Sequence, residues 1–313
     1  TEKWLPEVKE RVRRSTYESY RLHVESYLVP RIGGVKIQAL KPDHLNKVYR
    51  ELRKHGGRNG RSLSDRTVEL THVTIRRALK DAQRWGYVNR NVGDAANRPR
   101  PRQRHEIQAW TAQELGDFLA QVREHDERLY PLWLLMATTG VRRGEALGLR
   151  WQDVDLDKAR ISIRQTLLAV RYIPSFGQPK TKKGKRNISL DASTVTVLRS
   201  HRKAQAAERL AAGSAYEHLK LVFATEVGGA LHPDRITRRF GRLVQKSGLP
   251  RLTLHGLRHS HATIALEAGV HPKVVAERLG HSSVSLTLDV YSHAIPALQE
   301  EAAERVAALI NLQ

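Results

Sequence analysis

The chain of 313 residues contains no cysteine and carries a formal net charge of +22, from 54 basic and 32 acidic side chains. Its hydrophobic content of 40% is typical of a folded protein, and its length is sufficient for two domains. The lack of cysteine excludes disulfides and thiolate zinc sites and is typical of a reducing, cytoplasmic setting. No apolar run is long enough for a membrane span, and no signal-peptide pattern opens the chain.

The positive charge indicates a polyanionic partner. Nucleic acid is favoured over an anionic membrane surface, because no basic amphipathic helix with an aromatic face is present. Residues 1–104 carry 25 basic and 11 acidic side chains, and residues 105–313 carry 29 and 21, so both parts are expected to contact that partner. The chain begins at Thr1 and contains one methionine, Met136, so we expect it to start inside a longer natural protein.

The first hundred residues predict helices. The sequence STYE at residues 15–18 has the form of a capping box and predicts a helix over 16–28 that ends at Pro30. A second helix is predicted over 42–55, opened by Pro42.

Ser64 caps a third, longer predicted helix that reaches Trp85, with an apolar face formed by Val68, Ile75, Leu79 and Ala82. A basic stripe recurs at four-residue spacing on the same helix, at Arg76, Lys80 and Arg84. Such a stripe is as typical of a solvated face as of a DNA-binding face, and the net charge of the chain favours phosphate contact.

A basic linker between two domains is predicted over residues 91–110. Its arginines are Arg98, Arg100, Arg102 and Arg104, and they alternate with prolines that keep the segment extended. An extended basic segment suits a path along a phosphate backbone. A capping box at residues 111–114 opens the second domain. The further elements predicted there are an apolar helix over 130–138, a short helix over 143–149, a strand over 159–167 with its partner over 185–190, and helices from 191 onward.

Four stretches of the second domain contain residues suited to phosphate chemistry. Arg142 and Arg143 follow Gly140 at the start of a short helix, where an anion binds well. The hairpin stretch PKTKKGKRNISL (179–190) contains Lys180, Lys182, Lys183 and Lys185, any of which would reach a phosphate or protonate a leaving oxygen. Surface arginines and an exposed basic turn are the ordinary alternatives.

The other two stretches contain histidines. His255 and Arg258 are three residues apart, so on a helix they project to one side. LGHSSVSLTLDVYSHA (279–294) contains His281 and Tyr291, and its apolar residues fit both a helical face and an alternating strand. No metal-binding pattern is present among these histidines, and no cofactor is expected.

In chain order these motifs read TGVRRGEALGL (139–149), PKTK (179–182), HGLRH (255–259) and LGH (279–281), with Tyr291 ten residues after the last histidine. This series resembles the tyrosine recombinases, the phage integrase family, over nearly the whole chain. TYESY (16–20) and VPRIGG (29–34) are similar to the core-binding domain of integrases from phages and integrative elements.

The resemblance implies a mainly α fold with a small β-sheet, built as a two-domain DNA clamp. The expected parts are a helical core-binding domain (1–90), the linker (91–110), a catalytic domain (111–295) and an amphipathic C-terminal helix (296–313). That helix would dock on a neighbouring protomer or fold back on its own core. Phage-type members often carry a further N-terminal domain that binds arm sites, and the missing initiator methionine fits its removal.

Carried over motif by motif, the resemblance implies a catalytic set of Arg142, Lys180, His255, Arg258, His281 and Tyr291, supported by Glu145. Lys182 is the rival of Lys180, and Arg143 occupies a variable position. Tyr291 would attack a DNA phosphate and form a 3′-phosphotyrosine, and a second DNA end would then reverse the step without ATP or metal. The implied partners are double-stranded DNA with a core attachment site, three further protomers in a homotetramer, and accessory DNA-bending or directionality proteins.

Three alternatives remain open at this point. A non-catalytic helix-turn-helix regulator would use the two helices around Gly269, but it leaves the motifs from 137 to 258 unexplained. A relaxing topoisomerase would nick and reseal one duplex, which the core-binding resemblance argues against. A chromosome-dimer resolvase belongs to the same family, and the VPRIGG and PKTK segments favour an integrase over it.

Overall fold

The computed structural model describes residues 1–100, 108–170, 172–179, 184–281, 283–291, 307, 308 and 310, with the backbone alone at 170, 286 and 289–291. The chain divides into two compact units, Thr1–His105 and Glu106–Gln313. Helices dominate both units, as expected, and across the described ranges no helix is long and apolar enough to cross a membrane.

The first unit is helical, with α1 (Trp4–Arg11), α2 (Arg14–Leu22), α3 (Val29–Ile32), α4 (Pro42–His55), α5 (Asp65–Arg84) and α6 (Val92–Ala95). A π-helical turn over His23–Leu28 joins α2 to α3. Apolar side chains of α1, α4 and α5 form one core, in which Leu45, Leu52 and Val68 are fully buried. The Trp4 indole N–H donates to the buried Asp81 carboxylate at 2.9 Å and so ties α1 to α5.

Two predicted helices of this unit are confirmed, and the bounds of one are wrong. Helix α4 has the predicted range, and Ser64 caps α5 by accepting the Thr67 N–H at 3.2 Å. The helix predicted to end at Pro30 instead continues to Ile32. The π-helical turn explains this, because it places Pro30, which has no N–H to donate, in the first turn of α3.

The start of the predicted linker is part of this folded unit. Asn91 caps α6 by accepting the Gly93 N–H at 3.0 Å, and its amide donates to the Arg76 carbonyl at 3.1 Å. Val92 and Ala96 are buried in the core of the first unit. Residues 91–96 therefore pack on α5 instead of following an extended path. The side chain of Asn91 anchors them, because it is hydrogen-bonded to both α5 and α6.

The second unit contains α7 (Ala112–His125), α8 (Tyr130–Thr139), α9 (Arg143–Leu147), α10 (Ala192–Ala212), α11 (Pro233–Ser247), α12 (Leu254–Glu267), α13 (Pro272–Leu279) and α14 (Val284–Tyr291). Its core is aromatic and aliphatic, and the Phe240 ring contacts the rings of both Phe118 and Trp133. The predicted capping box is confirmed, because the Thr111 hydroxyl and the Glu114 carboxylate accept each other's backbone N–H groups.

Among the described residues, five short strands form two antiparallel sheets beside these helices: β1 (Val154–Asp155), β2 (Arg160–Ile163), β3 (Thr166–Val170), β4 (Ile173–Gly177) and β5 (Arg186–Ser189). The predicted pairing is confirmed, since β2 pairs with β5 in the register Ile161 to Ile188. The prediction of a single sheet is wrong, because the connection folds into its own hairpin, β3–β4. The strand predicted over 159–167 breaks at Gln165, whose side chain donates to the Gly148 carbonyl at 2.8 Å.

Candidate active site

The turn between α8 and α9 positions Arg142. Gly140 ends α8 with φ +63°, and a Cβ there would lie 2.6 Å from side-chain atoms of both His261 and Leu279. Arg142 is then the N-cap of α9, and the Glu145 carboxylate accepts its backbone N–H at 3.0 Å and its Nη1 at 2.9 Å. The Arg142 side chain is 41% exposed, so it is held from one side and accessible to a ligand from the other.

Arg258 reaches the same place from α12. Its side chain is buried, with Nη2 donating to the Leu279 carbonyl at 2.7 Å and Nη1 to the carbonyl of the glycine that ends α8, also at 2.7 Å. Arg142 Nη2 donates to the next carbonyl, that of Gly280, at 3.3 Å. Two guanidiniums therefore converge on consecutive carbonyls directly before His281. Carbonyl groups orient a guanidinium without neutralising it, and the single Glu145 carboxylate does not cancel the charges of both Arg142 and Arg258, so the place attracts an anion.

His281 follows these carbonyls and is anchored to α14. Its Nδ1 lies 2.7 Å from the hydroxyl of the fully buried Thr287. Burial, and then the charges of Arg258 and Arg142, lower the pKa of His281 to about 4. The ring is therefore neutral at pH 7, and when the Thr287 hydroxyl donates to Nδ1, the proton on Nε2 is available to a bound anion.

His255 lies in the first turn of α12, and its ring contacts the His259 ring edge to face at 4.7 Å between centroids. Burial of the ring away from water, and then the charges of Arg258 and Arg142, lower the pKa of His255. The ring is therefore neutral at pH 7 and has an acceptor nitrogen, and the arginine charges make it a weaker base than an exposed histidine. The site as a whole thus combines two oriented cations with neutral rings, which suits a phosphodiester.

Comparison with known proteins agrees with this geometry. The model of the phage integrase family matches residues 108–297, and that of the phage integrase N-terminal SAM-like domain matches residues 1–53. The chain belongs to the phage integrase family. It is therefore a tyrosine recombinase, an enzyme of site-specific DNA recombination, and the sequence resemblance is confirmed.

Curated relatives cover most of the chain. The tyrosine recombinase XerC-like protein of Caldanaerobacter subterraneus subsp. tengcongensis is 29% identical over 96% of this chain and 80% of its own length. The ICEBs1 integrase of Bacillus subtilis is 28% identical over 85% of this chain and 72% of its own.

Solved structures share the fold of this tyrosine recombinase. The Tn1549 transposon integrase in complex with transposon right end DNA matches with a TM-score of 0.78 at 20% identity, over 95% of this chain and 96% of that one. A lambda integrase dimer bound to a COC′ core site matches with a TM-score of 0.69 at 16% identity, over 91% and 90%. The expected fold, mainly α in a two-domain recombinase, is thereby confirmed, with small sheets in place of the single small sheet that was expected.

The two neighbouring arginines of the first motif have different surroundings. Whereas Arg142 faces the candidate phosphate position, Arg143 Nη1 donates to the Pro233 carbonyl at 3.3 Å and to the Thr237 hydroxyl at 2.5 Å. Arg143 therefore ties α9 to α11, which fits the variable position that the motif assigns to it.

Part of the predicted catalytic set cannot be placed. Lys180 and its rival Lys182 lie outside the described residues, and Tyr291 is described by its backbone alone, as the last residue of α14. That segment is helical, so the alternating apolar residues do not form a strand. In the described part of the chain, no group of three or more histidine, aspartate or glutamate side chains forms a metal-binding cluster.

Arg186 is a member of the site that the sequence motifs do not identify. It lies on β5, and its guanidinium donates to both Glu145 oxygens, at 3.1 and 2.9 Å. Burial raises the pKa of Glu145, but hydrogen bonds and charge from Arg186 and Arg142 outweigh it and hold that pKa below its usual range. The signal in the sequence is the alternation of β5, which puts Arg186 on the same face as the buried Ile188.

The predicted DNA-binding side chains described in the first unit lie on α5 and after α6 and are exposed, but several have partners within the unit. Arg76 pairs with Asp94 at 2.5 Å, Arg84 with Asp81 at 3.3 Å, and Arg98 with Glu69 at 2.7 Å. Lys80 is exposed between the first two. Arg100 accepts a hydrogen bond from Arg53 through its carbonyl, whereas Arg102 and Arg104 lie outside the described residues.

Proposed function

We propose that this recombinase cleaves and rejoins DNA strands at a core attachment site through a covalent 3′-phosphotyrosine on Tyr291. The observation that carries the proposal is the convergence of Arg142 and Arg258 on the carbonyls of Leu279 and Gly280, next to His281. This arrangement brings three phosphate-binding groups from three parts of the chain to one place. A non-catalytic DNA-binding protein has no need of such a cluster, because ordinary phosphate contacts do not require two guanidiniums on one phosphate.

The chemistry follows from the charges of the phosphodiester. Negative charge repels a phenolate, and more charge develops on the non-bridging oxygens as the phosphorus becomes five-coordinate. Arg142 and Arg258 would neutralise those oxygens, and the His281 Nε2–H would donate to one of them. His255, held neutral beside the arginines, would take the phenol proton of Tyr291 as the Tyr291 oxygen forms its bond to phosphorus.

The leaving group completes the step. As the phosphorus–5′-oxygen bond breaks, that oxygen needs a proton, for which Lys180 is our candidate donor and Lys182 the alternative. The phosphotyrosine conserves the energy of the phosphodiester, so a second 5′-hydroxyl reverses the reaction and rejoins the strands. No external energy source is needed for this exchange of one phosphodiester for another.

We further propose the domain scheme and assembly that the family implies. Residues 1–90 would bind the core site, the part of the predicted linker after residue 96 would follow the DNA backbone, 111–295 would carry out catalysis, and 296–313 would dock on a neighbouring protomer. The solved structure of a lambda integrase tetramer bound to a Holliday junction, which this chain matches with a TM-score of 0.68, supports a homotetramer acting on two duplexes. DNA-bending or directionality proteins would act beside it.

The test is covalent trapping on a nicked duplex. The core site is first isolated by selecting random duplexes for sequence-specific binding. A nick just downstream of the scissile phosphate then lets the short fragment that carries the released 5′-hydroxyl diffuse away. We expect a protein–DNA adduct on a denaturing gel, absent in Tyr291→Phe and retained in Tyr172→Phe, which alters a tyrosine that is 80% exposed.

Two results would count against the proposal. An adduct formed by Tyr291→Phe would mean that another residue is the nucleophile. No adduct from the unaltered chain on a selected site that it binds and that carries the nick would contradict the covalent mechanism itself.

A further inference from the structure

Arg186 is a buried arginine that the proposed chemistry does not use. Its side chain is 7% exposed, and Nε donates to the Arg278 carbonyl at 2.7 Å while Nη1 also donates to the Gly184 carbonyl at 3.2 Å. With the two bonds to Glu145, every nitrogen of this guanidinium is therefore a donor within the protein. A buried cation is costly unless it is paired and hydrogen-bonded, so this geometry is closely determined.

The carboxylate of Glu145 is shared between two arginines. Its Oε1 accepts from Arg142 Nη1 and Arg186 Nη1, and its Oε2 accepts from the Arg142 N–H and Arg186 Nη2. The Glu145 side chain is 4% exposed, so solvent does not compete for it. The bidentate contact with Arg186 fixes the plane of the carboxylate, and that plane fixes the direction in which Arg142 points.

Arg186 also contacts the segment that holds the other phosphate-binding groups. The Arg278 carbonyl that it binds directly precedes the Leu279 and Gly280 carbonyls, which accept from Arg258 and Arg142. Arg186 and His281 line the same cavity of about 570 Å³, between β5, α13 and α14. One side chain on β5 thus holds both the carboxylate behind Arg142 and the end of α13.

We propose that Arg186 is a positioning residue for strand cleavage, acting on Arg142 through Glu145 without touching the scissile phosphate. This inference rests on the proposed function, because it takes Arg142 as a ligand of that phosphate. An ion pair with a structural role alone would lower stability when removed but would leave the cleavage step of the folded enzyme unchanged. The chain offers such a pair for comparison, Arg150 with the buried Asp153 at 2.7 Å.

The experiment measures single-turnover cleavage of the nicked core duplex at saturating protein, together with DNA affinity and melting temperature. Arg186→Met is expected to slow cleavage roughly 10- to 100-fold with unchanged DNA affinity, because a small displacement of a catalytic group has an effect of that size. Arg186→Lys should recover part of the rate, since an ammonium keeps the charge beside Glu145 but not the bidentate contact. Arg150→Met is the matched control and should cleave at the rate of the unaltered chain.

A double-mutant cycle identifies the route of the effect. Because Arg186 acts through Arg142, adding Arg186→Met to Arg142→Ala should slow cleavage little further. Effects that multiply in the double variant, or a folded Arg186→Met that cleaves normally, would overturn the inference. If Arg186→Met does not fold, the single-turnover cleavage rate of Arg186→Lys is compared with that of the unaltered chain instead, and an unchanged rate would overturn the inference. Failure of the proposed function is distinct, because then the unaltered chain shows no Tyr291-dependent adduct.

Discussion

His261 is a buried ring that should make the second unit sensitive to acid. It lies beneath the Gly140 turn, with Nδ1 2.9 Å from the Ala137 carbonyl and with no hydrogen-bond partner for Nε2 among the described residues. Protonation would place a charged N–H where nothing accepts it, close to the cations of Arg278 and Arg258. Burial, and then the charge of Arg278, accordingly lower the pKa of His261 to about 4.

Stability should therefore fall as the pH falls from about 6.5 to 4. The unfolded chain, whose histidine pKa is near 6.5, binds the proton before the folded chain does, so acid favours unfolding. A shift from 6.5 to about 4 at His261 corresponds to about 3 kcal/mol in the free energy of unfolding, present above pH 6.5 and lost below pH 4. Urea unfolding followed by tryptophan fluorescence at several pH values measures this loss.

His261→Asn isolates the contribution of that ring. Asparagine keeps an N–H for the Ala137 carbonyl and does not titrate, so the loss of stability between pH 7.5 and 4.5 should shrink without vanishing. The residual loss comes from other histidines with lowered pKa values, such as His259 and His281. The exposed His125→Asn should retain the full pH dependence. An unchanged pH dependence in His261→Asn would contradict the assignment.

At the scale of elements, the sequence predicts best where local signals agree. Helix α8 is an apolar run closed by a glycine, and β2 and β5 alternate, so their prediction needs no knowledge of distant residues. Helix α14 is different, because its eight residues fit both the helical periodicity and the alternation of a strand. Its helical form is accompanied by a hydrogen bond to a residue before the helix, between the buried Thr287 and His281, while Val284 and Leu288 stay 36% exposed.

Residues of the candidate site also differ in whether the sequence alone identifies them. Arg142, His255 and Arg258 belong to compact motifs whose spacing is visible in the sequence. Arg186 does not, because its partner Glu145 is 41 positions away along the chain. The alternation of β5 shows that a charge lies on a buried face, but only the folded chain shows which carboxylate neutralises it.

The turn between α8 and α9 should be intolerant of any side chain. Gly140→Ala combines a positive φ with a Cβ 2.6 Å from side-chain atoms of the hydrogen-bonded His261 and the fully buried Leu279. Strain and overpacking together should lower the free energy of unfolding by about 3 kcal/mol and slow cleavage, because Arg142 follows two residues later. Thermal unfolding and single-turnover cleavage measure the two effects.

Gly248→Ala provides the matched control in the same unit. It also ends a helix with positive φ, +69°, but no atom lies within 4 Å of the added Cβ. Only the backbone strain remains, about 1 kcal/mol. Equal losses at the two glycines would show that packing against His261 and Leu279 contributes nothing.

At the scale of the whole molecule, the charge of +22 governs how the recombinase meets DNA. Both units carry an excess of basic residues, so neither alone accounts for the electrostatic attraction. In the first unit, however, Arg76, Arg84 and Arg98 form ion pairs with carboxylates, so phosphate contact there must compete with them. The net charge therefore overstates the number of phosphates that this unit neutralises.

The salt dependence of DNA binding tests this view through Lys80, the exposed lysine of the basic stripe on α5. Each neutralised phosphate contributes about 0.9 to the slope of log affinity against log salt concentration. If Lys80 contacts a DNA phosphate, as predicted, Lys80→Ala should reduce the magnitude of that slope by about 1 and leave single-turnover cleavage at saturating protein unchanged, since such a contact takes no part in the reaction. Lys203→Ala, which removes an equally exposed lysine from α10, should not alter the slope. If both variants reduce it alike, the attraction depends on net charge and not on a surface that includes α5.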